Sequence, residues 1–458
     1  MAGGVQGTNE WSSRWGFMFA AIGFSVGLGN IWRFPFVTGE NGGAAFLIIY
    51  VLCAFAIGLP LIITELTIGR RGRGSPTGSL VAVARESETS TRWGAVGTLA
   101  IFCVFIILSY YTVLSGWTFD YFFRAGAGAF EGITAAESSA MFAGLMNNPV
   151  RLVIWNTVVY AIVAFVISHG VQAGIERAVK LLIPALFVAL VVMVIYGIFA
   201  GDIGGAMKFL LEPDWSKVSF DMVKYALGQA FFSIGIGMAA LYTFGSYLPS
   251  EFSIPRSSAI IIVADTGVAL LAGFAIFPLV FKYGLEPSGG EGLIFQTLPL
   301  AFGQMAGGQF FGAVFFVLLI AAALSSCIGC AEAVVSWVDE KWHIERRKGA
   351  LITAGAGWLV GFATIMSLGN MSGFYPLDFI PEFRGMNMYA ALDHLAANIL
   401  LLVGAILSAI FFGWFVPRTI KLEESGIPDG LWFTLWNFMI RFFIPVVLFV
   451  TLMLSFLD

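Results

Sequence analysis

The segment AAIGFSVGLGNIWRFP, residues 20–35, combines the apolarity of a membrane-spanning helix with groups that can bind ions. Its centre holds Ser25, Asn30 and three glycines, and Arg33 follows closely. Because glycine weakens helices, this segment is expected to unwind and free backbone carbonyl and amide groups. Carbonyl oxygens suit a hard alkali cation, and the N-terminus of the resumed helix favours a carboxylate. The alternative is that the glycines only permit close helix packing.

A second segment, GQAFFSIGIGMAA at 228–240, has the same character, with Gly228, Gly235 and Gly237 around a serine. The two segments lie in predicted spans 1 and 6, which are five spans apart. Because five is an odd number, span 6 crosses the membrane in the direction opposite to span 1, so the five-span unit that it begins is inverted. Paired interrupted spans in two inverted halves are typical of the binding site of a secondary transporter. The pair therefore favours a ligand site over simple helix packing.

The elements that position these segments are predicted to be membrane helices. The 458-residue chain is 59% hydrophobic and 11% charged, with a mean hydropathy of +0.88, whereas soluble domains are about 25% charged. Its apolar runs are continuous, which excludes strands. We predict an all-α polytopic membrane protein with eleven spans, at 15–39, 43–69, 94–124, 150–168, 178–200, 219–247, 257–284, 309–339, 349–367, 388–416 and 440–457.

The eleven spans are predicted to form a single transmembrane domain, 1–458. It comprises inverted repeats over about 11–205 and 215–418, with spans 1 and 6 unwound, and an additional span 11. Short apolar stretches at 131–145 and 291–305 are expected to be helices of the outer loops. The segment 429–439 is expected to lie at the inner interface.

The distribution of Lys and Arg predicts a cytoplasmic N-terminus, because cytoplasmic loops are enriched in these residues. They follow the even-numbered spans: Arg70, Arg71, Arg73, Arg85, Arg92, Arg177, Lys180, Arg256, Lys341, Arg346, Arg347, Lys348, Arg418 and Lys421. The opposite loops are acidic, with Glu131, Glu137, Asp202, Glu212, Asp214, Glu286, Glu291, Asp378 and Glu382. The expected location is the plasma membrane.

Other function classes find little support. The CxxC pair Cys327 and Cys330 lies on an apolar helix without a second pair or a histidine cluster, so it predicts small buried side chains rather than a metal site. We find no HExxH, GxSxG or phosphate-binding glycine loop, so an enzyme is not expected. A channel, a sodium-gated sensor and a proton-coupled transporter remain alternatives.

Four motifs carry a resemblance to a known family. They are GLGNIWRFP at 27–35, ENGGAAF at 40–46, Glu65 with the GR pair at 69–70, and GQAFFSIGIG at 228–237. They resemble the neurotransmitter:sodium symporter family, along nearly the whole chain. The eleven spans and short loops resemble bacterial members that carry hydrophobic amino acids. The resemblance implies sodium symport of such amino acids by alternating access, without an organic cofactor or nucleic acid partner.

The resemblance implies two sodium sites made of oxygen ligands. The first would use Ser25, Asn30, Ser233 and Asp265, together with the substrate carboxylate. The second would use Gly23, Val26, Ala322, Ser325 and Ser326.

Asp265 also stands out without the resemblance, because an ionised group inside the apolar run IIIVADTGVALLAGF is costly. One explanation is an acid that is hydrogen-bonded within the helix bundle, and the other is a sodium ligand. In chloride-dependent family members this region has Asn and an anion. A fixed carboxylate would supply the same charge, so chloride is expected not to be required.

The resemblance also implies a substrate pocket, formed by Ser25, Leu28, Gly29, Ile107, Tyr111, Phe232, Ser233, Gly235, Met238, Ser326 and Cys330. The Gly29 amide and the Tyr111 hydroxyl would hold the carboxylate. Carbonyls near Phe232 and Ser233 would hold the amino group. The remaining surface is apolar, with Gly235 leaving room and Met238 adapting to shape, so large aliphatic and aromatic side chains are expected.

Gates follow from the same resemblance. Arg33 would pair with Asp393 across an outer vestibule, although snorkelling of Arg33 to the interface is the alternative. Tyr111 and Phe232 would form a lid. Gly174 and Pro184 would mark a place where span 5 unwinds, or else an ordinary helix start and kink.

On the inner side, the arginine that family members carry before Trp11 is replaced by Thr8. The acids near the end of span 8, Asp339 and Glu340, therefore lack their expected partner. Glu65 is expected to accept hydrogen bonds from the broken spans, and Glu332 has no assigned partner.

Overall fold

A computed structural model describes residues 10–285, 290–369 and 371–455 of the chain. Within these ranges the regular structure is helical, without β-strands. Thr8 and Glu286, which figure in the predictions above, lie outside the described residues.

Nine helices are long and apolar enough to cross a membrane within the described ranges. They are Ala44–Gly72, Thr91–Gly126, Pro149–Ser168, Val171–Ala200, Ile254–Lys282, Gly308–Trp342, Arg346–Leu368, Met388–Phe415 and Leu431–Leu454, and they correspond to predicted spans 2–5 and 7–11. Predicted span 1 is a bent pair of helices, Arg14–Ser25 and Leu28–Glu40. Predicted span 6 is the pair Phe220–Ile234 and Ala240–Ser246. The count of eleven requires each pair to cross as one span, and it stays a prediction.

Shorter helices cover the loops. Those of the expected outer face are Ala135–Met146, Ile203–Leu211 and Leu298–Gln304, and those of the inner face are Pro76–Glu86 and Arg418–Ser425. The expected helices at 131–145 and 291–305 are confirmed, the second as a π turn, Leu293–Thr297, that continues into Leu298–Gln304.

The predicted separate start of span 11 at residue 440 is wrong, whereas the interfacial location of 429–439 stays a prediction. The helix is continuous from Leu431, because a π turn at Met439–Phe443 joins its two parts. Arg441 lies within this π turn, and its guanidinium carbon lies 4.2 Å from the centroid of the Trp414 ring.

Spans 3 and 8 form the centre of the bundle. In its most apolar stretch, span 3 is 78% buried and span 8 is 72% buried, whereas span 11 is only 28% buried. The inner half of span 1 packs along span 8, and the break in span 1 faces both central spans. The break in span 1 therefore lies against the two most buried of these nine spans.

Candidate functional site

The break in span 1 exposes a carbonyl to the centre of the bundle. The first helix ends at Ser25 and the next begins at Leu28, inclined by 67°. The Gly27 N–H donates to the Ser25 carbonyl at 3.0 Å and to Asn30 Oδ1 at 3.1 Å instead of continuing the helix. The Gly23 carbonyl therefore loses its usual helical donor.

The break in span 6 depends on residues with a left-handed backbone. Gly235, Gly237 and Ala239 have φ of 76°, 79° and 63°, and such values favour glycine. Glu65 Oε1 accepts a hydrogen bond from the Gly237 N–H at 2.9 Å. The expectation that Glu65 accepts a hydrogen bond from a broken span is confirmed for span 6.

Between the two breaks lies a small cavity, lined by Phe24, Ser25, Gly27, Gly29, Asn30, Ile107, Tyr111, Phe232, Ser233, Gly235, Met238, Ser326 and Cys330. Ten of the eleven predicted substrate residues line it, and Leu28 lines the outer space instead. None of the lining side chains carries a formal charge. The cavity offers about 30 Å³ to the centre of a water-sized sphere, so it is narrow.

One end of the cavity is arranged for a carboxylate. The Tyr111 hydroxyl oxygen accepts a hydrogen bond from the Leu28 N–H at 2.8 Å, which leaves its own proton free to donate. Gly29 lies in the first turn of the helix that begins at Leu28, where backbone N–H groups lack helical acceptors. Both predicted carboxylate donors therefore occupy one end of the cavity.

The predicted first ion site contains a buried carboxylate. Asp265 Oδ1 lies 2.7 Å from Asn30 Nδ2 and 2.9 Å from Ser233 Oγ. Its Oδ2 accepts a hydrogen bond from the Tyr50 hydroxyl at 3.0 Å. Asp265 and its three partners, Asn30, Ser233 and Tyr50, are all buried. The fourth predicted member, Ser25, lines the cavity next to Asn30, with its hydroxyl donated to the Ala21 carbonyl. Asn30 turns its amide nitrogen toward Asp265 and Ser233, and its Oδ1 accepts a hydrogen bond from the Gly27 N–H. The oxygen atoms that face each other here are therefore those of Asp265 and Ser233, and a carboxylate and a hydroxyl oxygen suit a hard cation.

The predicted second ion site contains only neutral oxygen atoms. Ser326 Oγ lies 3.3 Å from the Gly23 carbonyl oxygen and 3.1 Å from the Ala322 carbonyl oxygen. Ser325 Oγ lies 3.0 Å from the same Ala322 oxygen. Val26, the last predicted member, follows directly after the first helix of span 1 and is buried. This group joins the broken part of span 1 to span 8.

Comparison with known proteins decides the family. The family model described as the sodium:neurotransmitter symporter family matches residues 8–131 and 132–458. The chain belongs to this family. It is 33% identical over 440 residues to an uncharacterized sodium-dependent transporter, YhdH, of Bacillus subtilis, with 95% of each chain covered. It is 25% identical to the sodium- and chloride-dependent GABA transporter ine of Drosophila melanogaster, covering 89% of this chain and 46% of that protein.

A solved structure agrees with this assignment. The crystal structure of MhsT in complex with L-phenylalanine superimposes with a TM-score of 0.89 at 36% sequence identity, covering 98% of this chain and 100% of the other. The chain is therefore a sodium-dependent, multi-pass membrane symporter, not an enzyme.

A wider space lies next to this cavity, at the place of the predicted outer vestibule. Arg33 and Asp393 line a space above the cavity that offers about 340 Å³ to the centre of a water-sized sphere. No ion pair within 4.0 Å joins these two described residues. Asp393 instead accepts a hydrogen bond from the Tyr110 hydroxyl at 2.8 Å. The predicted contact between Arg33 and Asp393 is therefore absent here, because the vestibule separates the two side chains. Tyr111 and Phe232 line both spaces and lie between them, as a lid requires.

On the predicted inner side, Trp11 is packed against the end of span 6. Its ring nitrogen donates to the Phe244 carbonyl at 3.1 Å and its backbone N–H to the Tyr247 carbonyl at 3.1 Å. Its ring also contacts those of Phe17, Phe244 and Tyr247. Glu10 pairs with Arg73 at 3.1 Å. The N-terminal segment is therefore anchored to the end of span 2 through Glu10 and to span 6 through Trp11. Thr8, the position of the missing arginine, lies outside the described residues.

Glu332, for which the sequence indicated no partner, is neutralised inside the bundle. Its carboxylate pairs with Arg346 and accepts a hydrogen bond from the Tyr247 hydroxyl at 2.7 Å. Arg346 also donates to the Ile167 carbonyl at 2.8 Å. These contacts join spans 4, 6, 8 and 9 beneath the cavity.

Span 5 is intact in this conformation. Gly174 lies in a π turn, Val171–Glu176, that leads directly into the helix containing Pro184. The unwinding predicted for this stretch is absent here and stays a prediction.

Sequence reasoning missed Phe24 and Tyr50. A Cβ at Gly235 would lie 2.2 Å from the Phe24 ring, and a Cβ at Gly329 would lie 2.6 Å from it. The space that was assigned to the substrate at Gly235 is thus filled by Phe24. The aromatic character of Phe24, beside a serine at the break, was the only available signal. Tyr50 gave none, because a tyrosine in an apolar span is also an ordinary core residue.

Proposed function

We propose that the symporter imports hydrophobic L-amino acids, both aliphatic and aromatic, using the sodium gradient. The cavity between the two breaks carries this proposal, because it combines backbone and hydroxyl groups at one end with an apolar lining and no charged side chain. The backbone and hydroxyl groups would hydrogen-bond the charged amino and carboxylate groups of an amino acid. The apolar lining would leave an acidic or basic side chain unpaired. The phenylalanine bound to MhsT supports the same class of substrate.

Two sodium ions are proposed to accompany each substrate. One would bind at Asn30, Ser233 and Asp265, next to the substrate carboxylate, so that each favours the other. The second would bind at the carbonyls of Gly23, Val26 and Ala322 and the hydroxyls of Ser325 and Ser326. Because this second group draws on spans 1 and 8, its ion would favour the closed inner half of span 1.

Chloride is proposed to be unnecessary. The Asp265 carboxylate is fixed by hydrogen bonds from three side chains, so it offers a permanent negative charge beside the first ion. An added anion would be repelled by this charge. The GABA transporter ine, by contrast, is named as chloride-dependent.

The proposed cycle is alternating access in the plasma membrane, with the N-terminus in the cytoplasm. The substrate enters through the vestibule of Arg33 and Asp393, Tyr111 and Phe232 close over it, and the contacts around Trp11 then open. Two inverted repeats, about 11–205 and 215–418, would supply the two half-sites, and span 11 would lie outside them.

Uptake into proteoliposomes tests the function. Radiolabelled leucine and phenylalanine should accumulate above their outside concentration under an inward sodium gradient, whereas glutamate and lysine should not. Accumulation that persists with potassium alone would reject sodium coupling, and preference for a charged amino acid would reject the substrate class. Accumulation driven by a proton gradient alone would favour the proton-coupled alternative.

A further inference from the structure

Spans 10 and 11 contact each other through two π turns, Phe411–Phe415 and Met439–Phe443. A Cβ at Gly413, in the first turn, would lie 2.9 Å from the Arg441 Cα in the second, so a larger residue would push the turns apart. The Trp414 ring nitrogen donates a hydrogen bond to the Arg441 carbonyl at 2.8 Å. These contacts fix the position of Arg441 relative to the end of span 10.

Arg441 carries its charge on the least buried of the nine described spans. Its guanidinium carbon lies 4.2 Å from the centroid of the Trp414 ring and 5.4 Å from that of the Phe442 ring. Both aromatic side chains are exposed, and the Arg441 Nε has no hydrogen-bond acceptor among the described residues. Stacking on aromatic faces does not use the N–H groups of a guanidinium, which point outward in its plane.

A second cation, Lys421, reaches the same junction from the loop helix Arg418–Ser425. It is only 4% exposed, and its Nζ donates to the Gly413 carbonyl at 2.8 Å and to Asn437 Oδ1 at 2.9 Å. Both acceptors are neutral. Burial, together with the neighbouring charge of Arg441, lowers the pKa of Lys421 to about 8. The two cations are therefore close enough to repel each other.

The acids of the connecting loop do not compensate these two charges. Each of them pairs with another arginine: Glu423 with Arg71, Glu424 with Arg70, and Asp429 with Arg418. Within the part of the chain that the structure describes, no ion pair within 4.0 Å joins an acid to Lys421 or Arg441. Ionisable groups at membrane depth are costly without a partner, so this junction favours an anion from outside the chain.

We propose that the junction of spans 10 and 11 binds the phosphate group of an anionic glycerophospholipid. The Arg441 guanidinium makes the direct contact, since its planar fork can donate two parallel hydrogen bonds to phosphate oxygens. Lys421 adds positive charge behind it. The exposed rings of Trp414 and Phe442 flank the guanidinium and offer an apolar surface to the glycerol and acyl chains, which favours a lipid over a free phosphate.

Native mass spectrometry of the purified full chain tests the lipid site. The chain is titrated with phosphatidylglycerol and, separately, with phosphatidylcholine that has the same acyl chains. Wild type should bind the first phosphatidylglycerol about tenfold more tightly, because basic residues favour a net negative lipid. Arg441→Gln should weaken phosphatidylglycerol binding about tenfold, through loss of a charge-assisted contact. Lys421→Gln keeps an amide donor for the Gly413 carbonyl and should weaken it about fivefold.

The matched control is Arg347→Gln, an exposed cation at the start of span 9, which should leave phosphatidylglycerol binding unchanged. Binding by Arg441→Gln within twofold of wild type would overturn the lipid site, as would an equal loss in Arg347→Gln. If Arg441→Gln is not monodisperse, the twofold criterion applies to Lys421→Gln. Soluble glycerol phosphate in hundredfold excess should not displace the lipid, and displacement would assign the site to a free phosphate instead. These measurements need no transport, so they are decided separately from the proposed function.

Discussion

The two predicted ion sites of this symporter lie on either side of the break in span 1, yet they differ in charge. The first contains Asp265, whose carboxylate is hydrogen-bonded by Asn30, Ser233 and Tyr50. The second contains only carbonyl and hydroxyl oxygens around Ser326. This difference indicates two roles for the proposed sodium sites. The first would balance the charge of its ion, and the second would control the position of the inner half of span 1.

At the first proposed site, the fixed charge would compensate a sodium ion, and the adjacent cavity would place the substrate carboxylate nearby. At the second proposed site, the ligands would come from a helix end in span 1 and from span 8, so its occupancy would report whether span 1 is closed. A change at the first site should alter which ions are needed, and a change at the second should alter how strongly sodium is held.

The largest effect is expected from removing the charge at the first site. Asp265→Asn should lower sodium-dependent uptake in chloride-free buffer by up to about a thousandfold, because a charge pair at about 4 Å is worth about 4 kcal/mol at an effective dielectric constant of about 20 and each 1.4 kcal/mol is a factor of ten. Added chloride should restore part of the uptake. Asp221→Asn, at the exposed start of span 6, is the control. Uptake by Asp265→Asn equal to wild type without chloride would contradict the assignment.

A smaller effect is expected at the neutral site. Ser326→Ala removes one oxygen beside the Gly23 carbonyl and should weaken the apparent sodium affinity about 5- to 100-fold, the range of a lost polar interaction of about 1–3 kcal/mol. Uptake at saturating sodium should remain independent of chloride. Sodium titrations of wild type, Ser326→Ala and the control Ser336→Ala, lower on the same helix, measure the effect. A newly acquired chloride requirement in Ser326→Ala would erase the distinction between the sites.

Substrate selectivity is expected to depend on Phe24, which packs between the two breaks. Phe24→Ala should favour tryptophan over leucine by about tenfold relative to wild type, because pocket size discriminates hydrophobic groups by about 1–3 kcal/mol. Competition of unlabelled amino acids against labelled leucine measures this ratio. An unchanged ratio would show that Phe24 does not limit the pocket. Gly235→Phe is a poorer test, since its left-handed backbone and the Phe24 ring exclude any side chain.

The smallest effect is expected at the outer gate. Asp393→Asn should change uptake by less than about fivefold, because Asp393 makes no ion pair with Arg33 in this conformation and the pair proposed for the closed gate would contribute only about 0–1 kcal/mol. Its sodium and chloride dependence should match wild type, since the vestibule belongs to neither ion site. Initial rates over a range of sodium and leucine concentrations provide the measurement, and a hundredfold loss would mean that the gate also has a role in binding.

Much of the arrangement could be predicted from local sequence. The glycines of 23–29 and 228–237 indicated both breaks, because few other residues tolerate the backbone that they need. Runs of apolar residues indicated the helices of the eleven predicted spans, and the buried charge of Asp265 drew attention to the first ion site. The predicted separate start of span 11 at residue 440 was wrong, because the helix continues from Leu431 through a π turn at Met439–Phe443 that residue type did not indicate.

What could not be predicted depends on contacts between distant segments. Tyr50 joins Asp265 across 215 positions, and Arg346 reaches Glu332 only after the loop between spans 8 and 9 folds back. Phe24 fills space left by two glycines that are themselves far apart in the chain. Residue type and spacing do not indicate which distant side chains pack together.

Uptake of labelled phenylalanine into proteoliposomes, with an inward sodium gradient and gluconate in place of all chloride, tests the central claim most directly. Sodium-driven import with Asp265 as the fixed counter-charge predicts accumulation above the outside concentration, at the same rate as in chloride. Loss of accumulation in gluconate, or accumulation that is unchanged when potassium replaces sodium, would contradict it.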